Sequence, residues 1–314
     1  MMRRIWMFLL LILTGSPLMA ATIVNTAMGE VVLKTAPKRV ITLEHRYSEM
    51  VLSLGIVPVG VADIESYKRY DGIDGGKLKG VHDVGRRAAP NLESIGLLKP
   101  DLIIGARLRN ASVYPLLSKI APTLLFSYIE PPSNGISPYD EMIDEYKRIA
   151  KVLNRQKQAE VVLSMLNETI VKAQAEIKRL KAEGRLTSDR VAIAQFLPGS
   201  PKIRLMTTDS VAIEALEKIG LKPAWNREAG LEGTGYETVS IDVLMRLGLF
   251  HLFYINERAD DAELKKTMSS PIWQHMAFVE AGLTARMAED IWPWGGPLAV
   301  KKLIEHVVDV LAKS

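Results

Sequence analysis

One stretch constrains this chain more than any other. Residues 156–183, QKQAEVVLSMLNETIVKAQAEIKRLKAE, contain no glycine or proline and place apolar residues three and four apart. That spacing predicts a single helix. At 1.5 Å per residue it runs about 42 Å, longer than one lobe of ordinary size. It follows Asn154, which reads as a joint after a helical stretch beginning at residue 137, and it ends at Gly184. The apolar residues do not keep a heptad over the whole length, so a coiled coil is not expected. Between two blocks of alternating strands and helices, such a helix works best as a rigid strut crossing from one lobe to the other.

The flanking blocks share a plan rather than a sequence. An edge hairpin (TIVNTAMGEVVLKTAPKRV) opens the first block. Then come the strand RVITL, the helix YSEMVLSLG closed by Gly55, and the strand VPVGVAD. A helix over 91–99 is capped by Asn91, with Glu93 in the first turn where the helix dipole favours an acid. DLIIGA is a continuous apolar run and hence a buried strand. Residues 112–120 read as helix and PTLLFSY as strand. The second block gives strands at RVAIAQFL, KIRLMT and LFHLFYIN. Its helices run from Ser210 to Ile219, from Ile241, around 262–275, and over 296–312 in the tail. Alternating strands and short helices imply parallel α/β lobes. The expected fold class is therefore α/β, with two α/β lobes joined by a single long interdomain helix. The boundaries fall at 21–154, 155–184 and 185–314.

Residues 1–20 read as a secretory signal peptide. Arg3 and Arg4 form a positive start, Ile5 to Leu13 an apolar core too short to span a bilayer, and small residues follow. Cleavage is expected after Ala20, with Ala21 as the alternative. An exported chain with no cysteine lacks both disulfides and the lipidated cysteine of bacterial lipoproteins. A soluble periplasmic protein is the expected product. The net charge of +4, from 40 basic and 36 acidic side chains, excludes a polyelectrolyte binder of nucleic acid. Five histidines with no close paired spacing make an all-histidine metal cage unexpected. No G-x-S-x-G, H-E-x-x-H or P-loop is present, and Ser210 and His251 have no triad context, so an enzyme such as a periplasmic hydrolase is not expected.

The stretch DVGRRAAPN, residues 83–91, raises the question of an anion site. Together with RVITLEHRYSEMVLSLGIVPVGVAD, DLIIG and SPIWQHMAFVEAG, in this order, it resembles the periplasmic iron–siderophore binding proteins of ABC importers. The ferric-citrate and ferric-hydroxamate types are the nearest resemblances. This resemblance runs from about residue 22 to the tail helix. It implies the class III, helical-backbone plan of two lobes and one long helix, with a ligand in a shallow cleft between the lobes. It also implies a binding protein, a monomer, that hands its ligand to an inner-membrane ABC permease with its ATPase. Haem or cobalamin binding by the same fold is the alternative, and haem would ask for an axial ligand such as Tyr67 or His45.

The resemblance also points to residues. In the family's VG-x-R-x-x-P loop the ligand arginine falls on Arg87, and Arg86 on a variable position that reads as rim charge. Arg109 stands where the ferric-citrate type has an arginine. Arg107 lacks that counterpart but joins the candidates. The loop LEHRYSE places Glu44, His45, Arg46 and Tyr47 at the cleft edge, where Arg46 and Tyr47 either meet the ligand or cap the helix. Arg204, in KIRLM, either faces the cleft or pairs with a surface glutamate. The hydroxamate type has a tryptophan where this chain has Thr234, and Tyr236 is a substitute two places on. Trp292 and Trp294, in DIWPWGG, stand where relatives have aromatics. Trp225 and Trp273 read as packing residues, and Tyr67 and Tyr70 as a flap over the ligand or a mobile loop. Glu93 and Asp242 match the family's permease-docking acids, although each is also an ordinary first-turn acid.

The chemistry suits an iron chelate. A siderophore wraps ferric iron in hard oxygen donors and is anionic when it carries enough carboxylate or catecholate. Arginine compensates that charge without competing for the metal, and its planar fork bonds two oxygens at once. Aromatic rings cover the apolar face. No protein cofactor or metal ligand is needed, since the iron is bound only through the siderophore.

Overall fold

The computed structural model describes residues 21–129, 135–226, 235–256 and 262–313. Residues 1–20, expected to be a signal peptide, and Thr234 lie outside them. The strut is one helix, Gln156–Ala182. Its buried residues, Ala159, Val162, Leu166, Thr169, Ala173, Ile177 and Leu180, form one stripe at steps of three and four. The preceding helix is Pro138–Val152, with Ser137 as its cap. Asn154 makes the joint in the left-handed region at φ 54°.

In the first lobe, five parallel strands lie in the order His82–Asp83, Gly60–Val61, Val40–Thr42, Leu102–Ala106, Thr123–Phe126. The connections are helical: His45–Ser53, Ile64–Tyr70, Leu92–Leu97 and Tyr114–Ile120. Asn91 caps Leu92–Leu97 by accepting from the Ser94 N–H at 3.0 Å.

The second lobe departs from the parallel expectation. Its sheet runs Tyr236–Ser240, Lys202–Met206, Arg190–Phe196, His251–Asn256, Thr284–Arg286, and Lys222–Pro223 pairs with Arg190–Phe196. Arg190–Phe196 is parallel to His251–Asn256, but Lys202–Met206 pairs antiparallel on both sides. The linker LPGSP explains this. Five residues make a hairpin but cannot carry the crossover that a parallel neighbour needs. The segment from Ile241 also differs, forming a 3₁₀ turn over Ile241–Leu247 rather than an α-helix.

One apolar core crosses the lobe boundary. It joins Met50, Leu102 and Leu124 of the first lobe to Val162 and Leu166 of the strut, Met206 and Phe253 of the second lobe, and Leu303 and Val307 of the last helix, Pro297–Lys313. No described helix is long and apolar enough to cross a membrane.

Candidate functional site

Parallel strands of an α/β sheet end at one edge, and ligands bind outside their carboxyl ends. In the first lobe that edge carries Glu44 after Val40–Thr42, Asp63 after Gly60–Val61, Arg87 after His82–Asp83, Arg109 after Leu102–Ala106 and Tyr128 after Thr123–Phe126. The stretch DVGRRAAPN forms a tight hairpin, with Gly85 paired to Pro90 and Arg86 to Ala89. Arg86 is exposed on its arm, while Arg87 sits at the tip and faces a cavity. The Arg87 carbonyl accepts from the buried Asn110 side chain at 2.8 Å. Asn110 Oδ1 in turn accepts from the Ala106 N–H at 3.2 Å. A Cβ on Gly105 would stand 2.6 Å from that oxygen, so only glycine admits this tie between the two arginine loops.

The cavity has a volume of about 250 Å³ and takes its walls from both sides of the strut. Tyr70, Arg87, Leu108, Arg109, Tyr128 and Ile129 line it from the first lobe. Gln195, Arg204, Tyr236, Ile255, Trp292 and Trp294 line it from the other side. Ile255, Gln195 and Arg204 are direct neighbours across three strands. Arg204 donates to Gln195 Oε1 at 3.1 Å, and its guanidinium lies 5.2 Å from the Tyr236 ring centre. The tryptophans form a wall with ring centres 4.8 Å apart, extended by Tyr70 beside Trp292 at 5.8 Å and Tyr236 beside Trp294 at 6.2 Å. Both indole N–H groups are buried without a protein acceptor. Three guanidiniums make the walls rich in donors, and a ligand rich in oxygen acceptors complements them.

Two arginines share one carboxylate. Glu44 is fully buried and accepts from Arg87 Nη1 at 2.7 Å and from Arg109 Nε at 2.5 Å. Burial alone would raise its pKa, but Arg87 and Arg109 outweigh burial and hold the carboxyl below its ordinary value. Asp63 accepts from the Arg87 backbone N–H at 3.0 Å and lies 3.4 Å from its Nε.

Several expected contacts fall elsewhere. Arg46 is 1% exposed and is turned inward. It donates to the carbonyls of Tyr128 at 2.9 Å, Trp294 at 3.1 Å and Gly295 at 3.2 Å, and faces Glu145 at 3.7 Å. Tyr47 is buried in the core against Phe126 and Tyr128. Both are corrections: residues 45–53 form a helix packed on every side, so these side chains support the site from behind. Tyr67 is buried and donates to the Ile73 carbonyl at 2.5 Å, so of the two flap tyrosines only Tyr70 reaches the cavity. His45 is buried between Tyr67 and Trp292, and burial pushes its pKa down to about 4. Neither Tyr67 nor His45 is presented as an axial ligand. Arg107 is half-buried and is not part of the lining. Trp273 is core, and Trp225 donates to Glu237 at 2.9 Å.

Sequence reasoning placed Glu44 at the cleft edge without a role, and missed Gln195, Tyr128 and Glu49. Tyr128 stands at φ 65°, a conformation uncommon for a large side chain. The Arg46 bond to its carbonyl and a 3.4 Å bond from its N–H to Glu145 hold it there. Glu49 accepts from the N–H groups of Gly296, Leu298 at 2.8 Å and Ala299 at 3.2 Å, so a first-lobe side chain caps the last helix. The signal available for Glu49 was a single glutamate within the otherwise apolar and small-residue run YSEMVLSLG.

Known proteins share this architecture. The family model described as periplasmic binding protein matches residues 40–285. The Fe(3+)-citrate-binding protein YfmC of Bacillus subtilis is 30% identical over 86% of this chain and 79% of its own length. The iron(3+)-hydroxamate-binding protein FhuD of Escherichia coli is 29% identical over 88% of this chain and 86% of its own. Among solved structures, Staphylococcus aureus SirA complexed with staphyloferrin B superposes with a TM-score of 0.75 at 28% identity, covering 93% of this chain and 98% of SirA. A family match over most of the chain, relatives matched over most of their own length and a common two-lobed fold lead to one conclusion: this chain belongs to the periplasmic binding protein family.

Proposed function

We propose that this protein captures a ferric siderophore in the cleft and delivers it to an inner-membrane ABC permease with its ATPase. The observation that supports this best is the cavity itself. Arginines and aromatic rings from both lobes line one cleft, with the Arg87 guanidinium 5.9 Å from the Trp292 ring centre and that of Arg204 5.2 Å from the Tyr236 ring centre. Relatives named for ferric citrate and ferric hydroxamate, and a neighbour solved with staphyloferrin B, support the same reading. Three guanidiniums in the lining, two of them sharing one buried carboxylate, favour an anionic chelate of the carboxylate or citrate type, and the paired tryptophans keep a hydroxamate chelate as the second choice.

Arg87, Arg109 and Arg204 clamp the anionic oxygens in this reading, while Tyr236, Trp292 and Trp294 cover the chelate's apolar face. Iron is cargo held by its own chelator, and the protein works as a monomeric, exported binding protein of the periplasm rather than as an enzyme. Glu93 and Asp242 are exposed at the starts of Leu92–Leu97 and Ile241–Leu247, one on each lobe, as docking acids for the permease require.

Tryptophan-fluorescence titration against a panel of ferric siderophores tests the capture step. Binding tighter than about 10 μM (about −7 kcal/mol) is expected for at least one anionic chelate. If no member of the panel binds that tightly, the reading fails. Glu93→Ala with Asp242→Ala should leave this titration unchanged and abolish iron uptake in cells.

A further inference from the structure

We propose that Glu44 is the positioning carboxylate of the cleft: it holds Arg87 and Arg109 as one oriented pair and removes one unit of positive charge beneath them, matching the site to a chelate that offers oxygens to the outward ends of both guanidiniums. This rests on the reading of the cleft as a receptor for an anionic chelate.

Glu44 ends the strand Val40–Thr42 and is the cap of His45–Ser53, where its Oε1 accepts the His45 N–H at 3.0 Å. Its backbone is thereby tied to the sheet edge, and its side chain is fully buried. The two arginines arrive from loops 43 and 65 residues later and close over it, with 19% and 29% of their side chains exposed. Each carboxylate oxygen takes a different arginine, so the pair is bridged rather than stacked.

The atoms used decide what is left over. Arg109 spends Nε on Glu44, so its terminal Nη1–Nη2 end remains for a ligand. Arg87 spends one Nη1 hydrogen on Glu44, its Nε faces Asp63, and its Nη2 remains. Both guanidiniums line the cavity, so the remaining donors form one edge that fits a carboxylate or hydroxycarboxylate group. A buried ion pair is poor evidence of stability, since apolar residues of similar size usually serve a fold as well. Its value here is orientation. It also sets the charge. Without Glu44 only Asp63 would offset the three guanidiniums of the lining; with it the sum is +1 (three arginines less Glu44 and Asp63).

The test compares the wild type with Glu44→Gln and Glu44→Asp, using ferric citrate as the anionic probe and ferrichrome as the neutral one, over a range of NaCl concentrations. Glu44→Gln should bind ferric citrate about tenfold more weakly, because one charge-assisted bond is lost. The slope of log Kd against log salt should nevertheless become steeper, because the site is one unit more positive. Weaker and steeper together separate positioning from general damage, which leaves the slope unchanged. Glu44→Asp restores the charge but reaches one arginine, so it should recover the wild-type slope with intermediate affinity. Independently of any ligand or variant fold, the Arg109 Nε–H resonance of the wild type should be shifted downfield and protected from exchange. Wild-type affinity with an unchanged slope in Glu44→Gln, or a freely exchanging Arg109 Nε–H, overturns the proposal. If the wild type binds neither ferric chelate, the receptor reading falls instead, and the Arg109 resonance still decides the role of Glu44.

Discussion

Arg87 keeps 19% of its side chain exposed, while Arg46 keeps 1%. The same guanidinium therefore does two jobs. Arg87 is half spent on Glu44 and Asp63 and half turned to the cavity. Arg46 spends Nε and Nη1 on three carbonyls and Glu145. Arg87→Ala should weaken binding of an anionic ferric chelate by about 1.5–3 kcal/mol, a charge-assisted bond, as read by fluorescence titration. An unchanged affinity would remove Arg87 from the clamp. Glu145 titrates in the opposite sense to most carboxylates. Burial pushes it up from 4.5 to about 7 despite the pull of Arg46. Between those values the folded protein holds a proton that the unfolded chain has released. Its stabilising contribution is complete below about pH 4.5 and lost as pH rises through about 7, by roughly 3 kcal/mol. His45, pushed down to about 4, runs the other way over part of this window. The decisive measurement is thus a difference: thermal unfolding of the wild type and Glu145→Gln from pH 4.5 to 8. The wild type should lose ground to the variant as pH rises, and parallel curves would refute the shift.

At the scale of elements, the helix His45–Ser53 organises the cleft without touching its ligand face. Glu44 at its start holds the two arginines, Arg46 holds Tyr128 and the tryptophan loop, and Glu49 caps Pro297–Lys313. The tryptophan wall is thus fastened to the first lobe, although it comes late in the chain. This close approach needs glycine. A Cβ on Gly296 would lie 3.0 Å from Glu49 Oε2 and 3.1 Å from Met50 Cγ. Gly296→Ala should cost about 1–3 kcal/mol of stability, the usual cost of overpacking. It should also alter the near-ultraviolet circular dichroism of Trp292 and Trp294. A variant with wild-type melting and an unchanged tryptophan signal would show the loop to be loosely held. The strut, the cap at Asn91 and the helix starts at 137 and Ser210 were legible in sequence, because periodicity and capping act within a few residues. The mixed second sheet was also within reach, since LPGSP is too short to cross over.

At the scale of the molecule, the core that runs from Met50 through the strut to Val307 leaves little freedom for the lobes to close. Small-angle scattering should give the same radius of gyration with and without a bound ferric chelate; a clear compaction would contradict this. The sequence by itself determined the two-lobed α/β plan, the length of the strut, the loop that carries Arg87 and the aromatics of DIWPWGG, all of which are local patterns or motifs. Only the tertiary structure decided which charged residues face the cavity. Arg46 and Arg87 look alike in sequence, as do Tyr67 and Tyr70. The fates of the arginines depend on carboxylates and carbonyls tens to hundreds of residues away, which folding alone brings within hydrogen-bond distance, while Tyr67 is buried and turned to the Ile73 carbonyl by the packing around it.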